Sequence, residues 1–174
     1  MGNVDSDYAT NKDDRRSITG GIITLGGGTI TNWFLQMQQS TTLSSTEAEY
    51  CALATAAQDV MFQATLLEEI IGRRMPSVLL EDNTGAIFLI KNQQVRPRTK
   101  HIDVRHHFLR ELHEDGRLIV KYTKSEDNET DIMTMNVVFI LLLKHRNHVK
   151  NGMMFCYVNW DVIITKDWRE DVKQ

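Results

Sequence analysis

Leu43-Ser44-Ser45-Thr46-Glu47-Ala48-Glu49-Tyr50 is the stretch on which the fold turns, because it starts a long helix and sets an acid on its inner face. Ser44-Ser45-Thr46 supplies capping side chains. Leu53, Ala57, Val60, Ala64, Leu67 and Ile71 then recur at alternating steps of four and three, the pattern of one helical face, and Gly72 and Pro76 close it. At about 100° per residue, Glu49 lies about 40° from Leu53, inside that stripe, whereas Glu47 lies about 120° away and points outward. Glu47 reads as the acid of a capping box, Ser44-x-x-Glu47. Glu49 is different: an ionised acid on a core-facing stripe costs several kcal/mol when unpaired. It must meet a cation, a metal or a partner, unless it simply serves the helix dipole.

Upstream, residues 5–17 are polar, and residues 18–25 and 30–37 are strand-like runs on either side of Gly26-Gly27-Gly28, which reads as a hairpin turn. No Gly-Lys-Ser/Thr follows this triplet, so it is not read as a phosphate loop. A short strand precedes the hairpin and ends at Asp5. Downstream, Val78-Leu79-Leu80 forms a buried strand over 77–82 that ends at Asp82, followed by the turn Asn83-Thr84-Gly85 and the helical Ala86, Ile87, Leu89 and Ile90. Residues 102–114 are amphipathic, Gly116 stops them, residues 118–122 form another strand, residues 124–128 a polar loop, and a last helix starts near Glu129. The order strand, strand, strand, helix, strand, helix, helix, strand, helix predicts an α/β domain, a five-stranded mixed sheet flanked by helices. That domain spans 1–150, its first strand shortened, and 151–174 is an appendage to which the sequence assigns no order.

The chain has 174 residues, 41% of them apolar, with 20 Lys+Arg against 23 Asp+Glu, a net charge of −3. This suits one globular domain and excludes a wholly basic nucleic-acid arm or a disordered acidic tail. Cys51 and Cys156 match no metal-ligand spacing and form no disulfide framework. The longest apolar run, 137–143, has seven residues, where a membrane span needs about 20. No signal peptide is evident, so a soluble, cytoplasmic protein is expected.

Four acids stand out by position. Asp82 and Asp5 stand at strand ends, where ligands gather in open α/β sheets. Glu49 lies on the buried helical stripe, and Asp131 opens the last helix. Brought within about 4 Å, such carboxylates repel by about 4 kcal/mol per pair at an effective dielectric of 20, and a divalent ion relieves this. An all-oxygen set favours magnesium over zinc. Beside these acids, residues 91–110 carry six Lys and Arg, including Lys91, Arg96, Arg98, Lys100, Arg105 and Arg110, against the single acid Asp103. This is a candidate phosphate-binding strip, and its plainer alternative is a solvated helix face. His101, His106 and His107 in it read as hydrogen-bonding or packing residues rather than metal ligands.

Five segments can now be taken together: Val4-Asp5-Ser6-Asp7-Tyr8-Ala9, Asp14-Arg15-Arg16-Ser17-Ile18-Thr19-Gly20, residues 43–50, Glu81-Asp82-Asn83, and Arg98-Thr99-Lys100-His101-Ile102-Asp103-Val104-Arg105-His106-His107-Phe108. With Asp127 and Thr130-Asp131-Ile132-Met133-Thr134 they closely resemble the ribonuclease H domain of copia-type retrotransposon Pol polyproteins, over residues 3–135. The resemblance implies a ribonuclease H-like fold that cleaves the RNA strand of an RNA–DNA hybrid during reverse transcription with two magnesium ions, manganese being the alternative. It places catalysis and metal binding on Asp5, Glu49, Asp82 and Asp131, with Asp7 in reserve for Asp5. Asp5 and Asp82 would bind or bridge both ions, Glu49 the ion on the leaving-group side, and Asp131 the ion carrying the attacking water. Arg96, Arg98, Lys100, His101 and Arg105 would contact the hybrid. The partner it implies is a reverse transcriptase domain of the same polyprotein, in the cytoplasm or in retrotransposon particles.

The chain departs from the family pattern in losing positive charge. Gln36 and Met37 follow Trp33 where two basic residues are usual, Met135 replaces a Lys, and no His stands in Lys124-Ser125-Glu126-Asp127-Asn128. Two other readings therefore stand beside the active nuclease. One is a catalytically inactive remnant that at most binds nucleic acid, and the other is a structural connector within a polyprotein.

Overall fold

The computed structural model describes residues 1–11, 13–26, 28–92, 100–130 and 134, of which 100–104 and 106 enter through their backbone alone. The elements follow the order β1 (Gly2–Asp7), β2 (Ile18–Leu25), β3 (Thr29–Met37), α1 (Ser45–Ile71), β4 (Ser77–Glu81), α2 (Thr84–Lys91), α3 (Lys100–Glu114) and β5 (Leu118–Tyr122). A 3-10 turn, Ser125–Asp127, follows within the expected polar loop. The strands form one sheet in the order β3-β2-β1-β4-β5. The first three are antiparallel neighbours, whereas β1, β4 and β5 run parallel. This is the expected five-stranded mixed sheet. The appendage at 151–174 and the last helix expected near Glu129 fall on or run into residues outside the described ones; Thr134 itself is helical.

β1 is central, and it corrects the expectation that the first strand ends at Asp5. It continues to Asp7, pairing Asp5 with Gly20, Ser6 with Thr19 and Asp7 with Ile18. The polar composition of Ser6 and Asp7 hides the strand from sequence patterning, but ladder bonds to β2 hold the backbone extended whatever the side chains. Gly21 in β2 lies opposite Phe34, and a Cβ there would lie 2.3 Å from the Phe34 ring, so any larger residue must displace that ring.

α1 starts as expected. Ser44 is the N-cap and its Oγ accepts the Glu47 N–H at 3.2 Å, while Glu47 Oε2 accepts the Leu43 N–H at 2.7 Å, one residue before the partner of a regular capping box. Gly72, at φ 75°, ends it with its N–H on the Glu68 carbonyl. Ala52, Ala54, Ala56 and Ala57 are buried, and with Tyr50, Leu53 and Val60 they pack in one core with Val4, Ile23 and Leu79 of the sheet. The apolar stripe loses cover toward its end: Ala64 and Leu67 are half-buried and Ile71 is 49% exposed, because a helix of 27 residues is about 40 Å long and overhangs strands of about 17–30 Å. Phe62 lies about 180° from Leu53, on the outer face of the helix, and is exposed. α2 and α3 close the same core through Ala86, Ile87, Ile90, Leu109 and Leu112. Among the described residues no helix is long and apolar enough to cross a membrane.

Candidate metal centre

The site arises where β1 and β4 separate. β1 pairs with β2 along its whole length, but with β4 only through Gly2–Leu79 and Asn3–Leu80. Beyond these pairs the two parallel strands fork, at the point in the sheet where strand order reverses and where ligands gather in open α/β sheets. Asp5 stands on the free flank of β1, and Asp82 immediately follows β4, one residue past its end at Glu81 rather than within it as the sequence suggested. The first turns of α1 bring Glu49 to the same opening. One carboxylate oxygen from each of Asp5, Glu49 and Asp82 lies within 4.8 Å of the other two.

These acids have little to offset their charges. Asp5 and Glu49 are each 6% exposed. Asp5 Oδ2 accepts a hydrogen bond from the Thr134 hydroxyl, Asp82 Oδ2 accepts one from the Ser125 hydroxyl, and Glu49 Oε2 is buried with no partner. Among the described residues no ion pair reaches Asp5, Glu49 or Asp82. Burial, joined by the negative charges of Glu81, Asp5 and Asp82, pushes the Glu49 carboxyl up to about 10. Burial also raises Asp5, with the Thr134 hydroxyl opposing and Asp82 reinforcing the shift. The arrangement is an oxygen-only pocket that resists ionisation until positive charge enters, and its donors suit a hard divalent cation.

Glu81 is a neighbour the sequence reading passed over. It is fully buried at the end of β4, one oxygen accepts the Asn83 N–H at 2.9 Å, and the other has no partner. Burial raises its carboxyl well above the usual range. The period of two in β4 carried the signal, since Glu81 shares the face of the buried Leu79. Thr134, Ser125 and Asn128 were also passed over; their hydroxyl and amide roles depend on residues more than 40 positions away in the chain.

Of the other expected site residues, Asp131, Arg96 and Arg98 lie outside the described residues, and Lys100 and His101 are placed through the α3 backbone alone. Arg105 is half-buried and its guanidinium donates to Cys51 Sγ at 3.0 Å, across the contact of α3 with α1. Asp7, the reserve for Asp5, ends β1 and is not among the three clustered acids. Glu47 caps α1, as expected.

No family model matches the chain. It is 37% identical over 133 residues to the retrovirus-related Pol polyprotein from transposon TNT 1-94 of Nicotiana tabacum, a match covering 76% of the chain and 10% of that protein. It is 36% identical over 131 residues to the corresponding polyprotein from transposon RE1 of Arabidopsis thaliana, covering 75% of the chain and 9% of that protein. The chain thus spans about a tenth of the length of these curated relatives. Among solved structures, LC11-RNase H1, isolated from compost, superposes with a TM-score of 0.54 at 17% identity over 75% of this chain and 90% of that one. The same protein in complex with an RNA/DNA hybrid gives 0.52 at 17%, over 74% and 88%. At such identities the likeness concerns the fold. Sequence and architecture agree, and the chain is a relative, with a ribonuclease H fold, of one segment of the retrovirus-related Pol polyproteins of plant transposons.

Proposed function

We propose that this chain is the magnesium-dependent ribonuclease H domain of a copia-type retrotransposon polyprotein, hydrolysing the RNA strand of RNA–DNA hybrids during reverse transcription. The observation that carries the reading is the meeting of Asp5, Glu49 and Asp82 within 4.8 Å at the fork of a ribonuclease H fold. These three would hold the cations, with Asp131 as the fourth acid given by the family pattern. Divalent ions bound there would activate water and stabilise the leaving oxygen of a phosphodiester. The protein's own part is to hold the carboxylates convergent and poorly hydrated, so that an arriving cation is bound tightly and in a fixed place. Arg105, with the expected Arg96, Arg98, Lys100 and His101, would contact the hybrid, whose phosphates and 2′-hydroxyls are read by shape. A reverse transcriptase domain of the same polyprotein is the proposed partner.

The test is cleavage of an RNA–DNA hybrid by the purified chain in magnesium or manganese. Asp82→Asn is expected to lower the rate by at least about a hundredfold while leaving the circular dichroism spectrum unchanged. A folded wild-type protein that binds hybrid in a salt-sensitive way without cleaving it in either metal would replace this reading with that of an inactive remnant. The lost positive charges at Gln36, Met37 and Met135 make that outcome a specific alternative.

A further inference from the structure

We infer that Thr134 is a positioning residue, whose hydroxyl fixes the Asp5 carboxylate in the orientation that a cation requires; this rests on the cation site proposed above. Asp5 faces two other carboxylates, and its side chain would relieve their repulsion by turning away. The Thr134 hydroxyl prevents this by donating to Asp5 Oδ2. The Thr130 carbonyl, 3.3 Å away, is a second acceptor for the same proton, and Asp5 becomes the stronger acceptor as a cation draws it into its ionised form. The Ser6 backbone N–H is a further donor to this carboxylate, and with these bonds in place an Asp5 oxygen lies within 4.8 Å of one from each of Glu49 and Asp82.

The donor is itself held in place. Thr134 is 7% exposed, while Asn128 and Thr130 are fully buried. The Thr130 hydroxyl donates to Asn128 Oδ1 at 2.6 Å, and Asn128 Nδ2 donates to the Val4 carbonyl at 3.0 Å. One residue further back, Asn3 Nδ2 donates to Glu129 Oε2 at 3.1 Å. Three consecutive residues of β1, Asn3, Val4 and Asp5, are thus each tied to the segment that follows β5. The hydroxyl that orients Asp5 belongs to a strap whose position is set by β1 itself, so its direction is fixed before a cation arrives. Loss of a hydrogen bond to a ligating carboxylate costs about 10–100-fold in metal affinity.

The experiment compares wild type, Thr134→Val, which keeps the shape without the donor, and Thr134→Ser, which restores the donor. Magnesium is titrated in two measurements, the rise in melting temperature and the rate of hybrid cleavage. Thr134→Val is expected to need about tenfold more magnesium for half-effect in both, with the rate at saturating magnesium nearly unchanged, and Thr134→Ser to follow wild type. Equal magnesium requirements in wild type and Thr134→Val would overturn the inference. So would failure of Thr134→Ser to restore the wild-type value, since the effect would then come from packing. If Thr134→Val does not fold, Thr134→Cys, a weak donor of similar size, takes its place. A wild type whose melting temperature does not respond to magnesium overturns the cation site itself, which a changed response in the variant alone cannot do.

Discussion

Glu49 is the residue where sequence and structure meet most directly. Helical spacing alone put it on the buried stripe, and the structure finds it buried, unpartnered on Oε2 and beside two other acids. Its carboxyl, held at about 10 by burial and neighbouring acids, binds a proton in the folded protein that the unfolded chain has already released near neutral pH. The folded state therefore binds more protons than the unfolded one between about pH 4.5 and 10. Over that window stability falls as pH rises. Melting the metal-free protein from pH 5 to pH 9 should show this decline, and saturating magnesium should flatten it, because cation binding favours the ionised form. Glu49→Gln removes the cause: at pH 8 without metal it should raise stability by on the order of 1–3 kcal/mol and abolish the response to magnesium. An unchanged magnesium response in this variant would show that Glu49 holds no ion. Glu81 was legible by the matching rule for strands, since a period of two puts it on the face of the buried Leu79.

Among the elements, α1 was readable almost in full. Its cap at Ser44, its end at Gly72 and its stripe from Leu53 to Val60 all follow from local rules. Ser44→Ala should cost about 1 kcal/mol in chemical denaturation, since the Glu47 N–H loses its acceptor. The partial exposure of Leu67 and Ile71 at the end of the stripe was not readable, because periodicity states which residues share a face and not how far the sheet beneath extends. β1 was under-read for the opposite reason, its last residues being polar and extended only through their neighbours. The approach of α2 to α1 was equally invisible. A Cβ on Gly85 would lie 3.0 Å from both Asn83 Oδ1 and Thr46 Oγ1. Gly85→Ala should therefore press the α2 cap away from the start of α1, separating the carriers of Asp82 and Glu49. The expected result is a severalfold weaker magnesium response at the cost of about 1–3 kcal/mol of stability, seen as paired shifts in metal titration and thermal melting.

Over the whole molecule, three carboxylates spread over 77 positions of the chain meet because the sheet is mixed. The antiparallel hairpin fixes one flank of β1, and β4 joins the other flank for only two residue pairs before diverging. The element order and the sheet class could be argued from sequence, and the motif order supplied the acids. The strap after β5 could not be foreseen, since its bonds join residues as far as 129 positions apart. Its bond to Val4 has a practical corollary. Where a neighbouring strand would normally meet the Val4 carbonyl of β1, the Asn128 side-chain amide does so. A truncation after residue 127 would leave an open strand flank in the middle of the sheet, and such bare edges invite intermolecular pairing. A shortened product of that kind should precipitate where one ending beyond residue 134 stays dispersed.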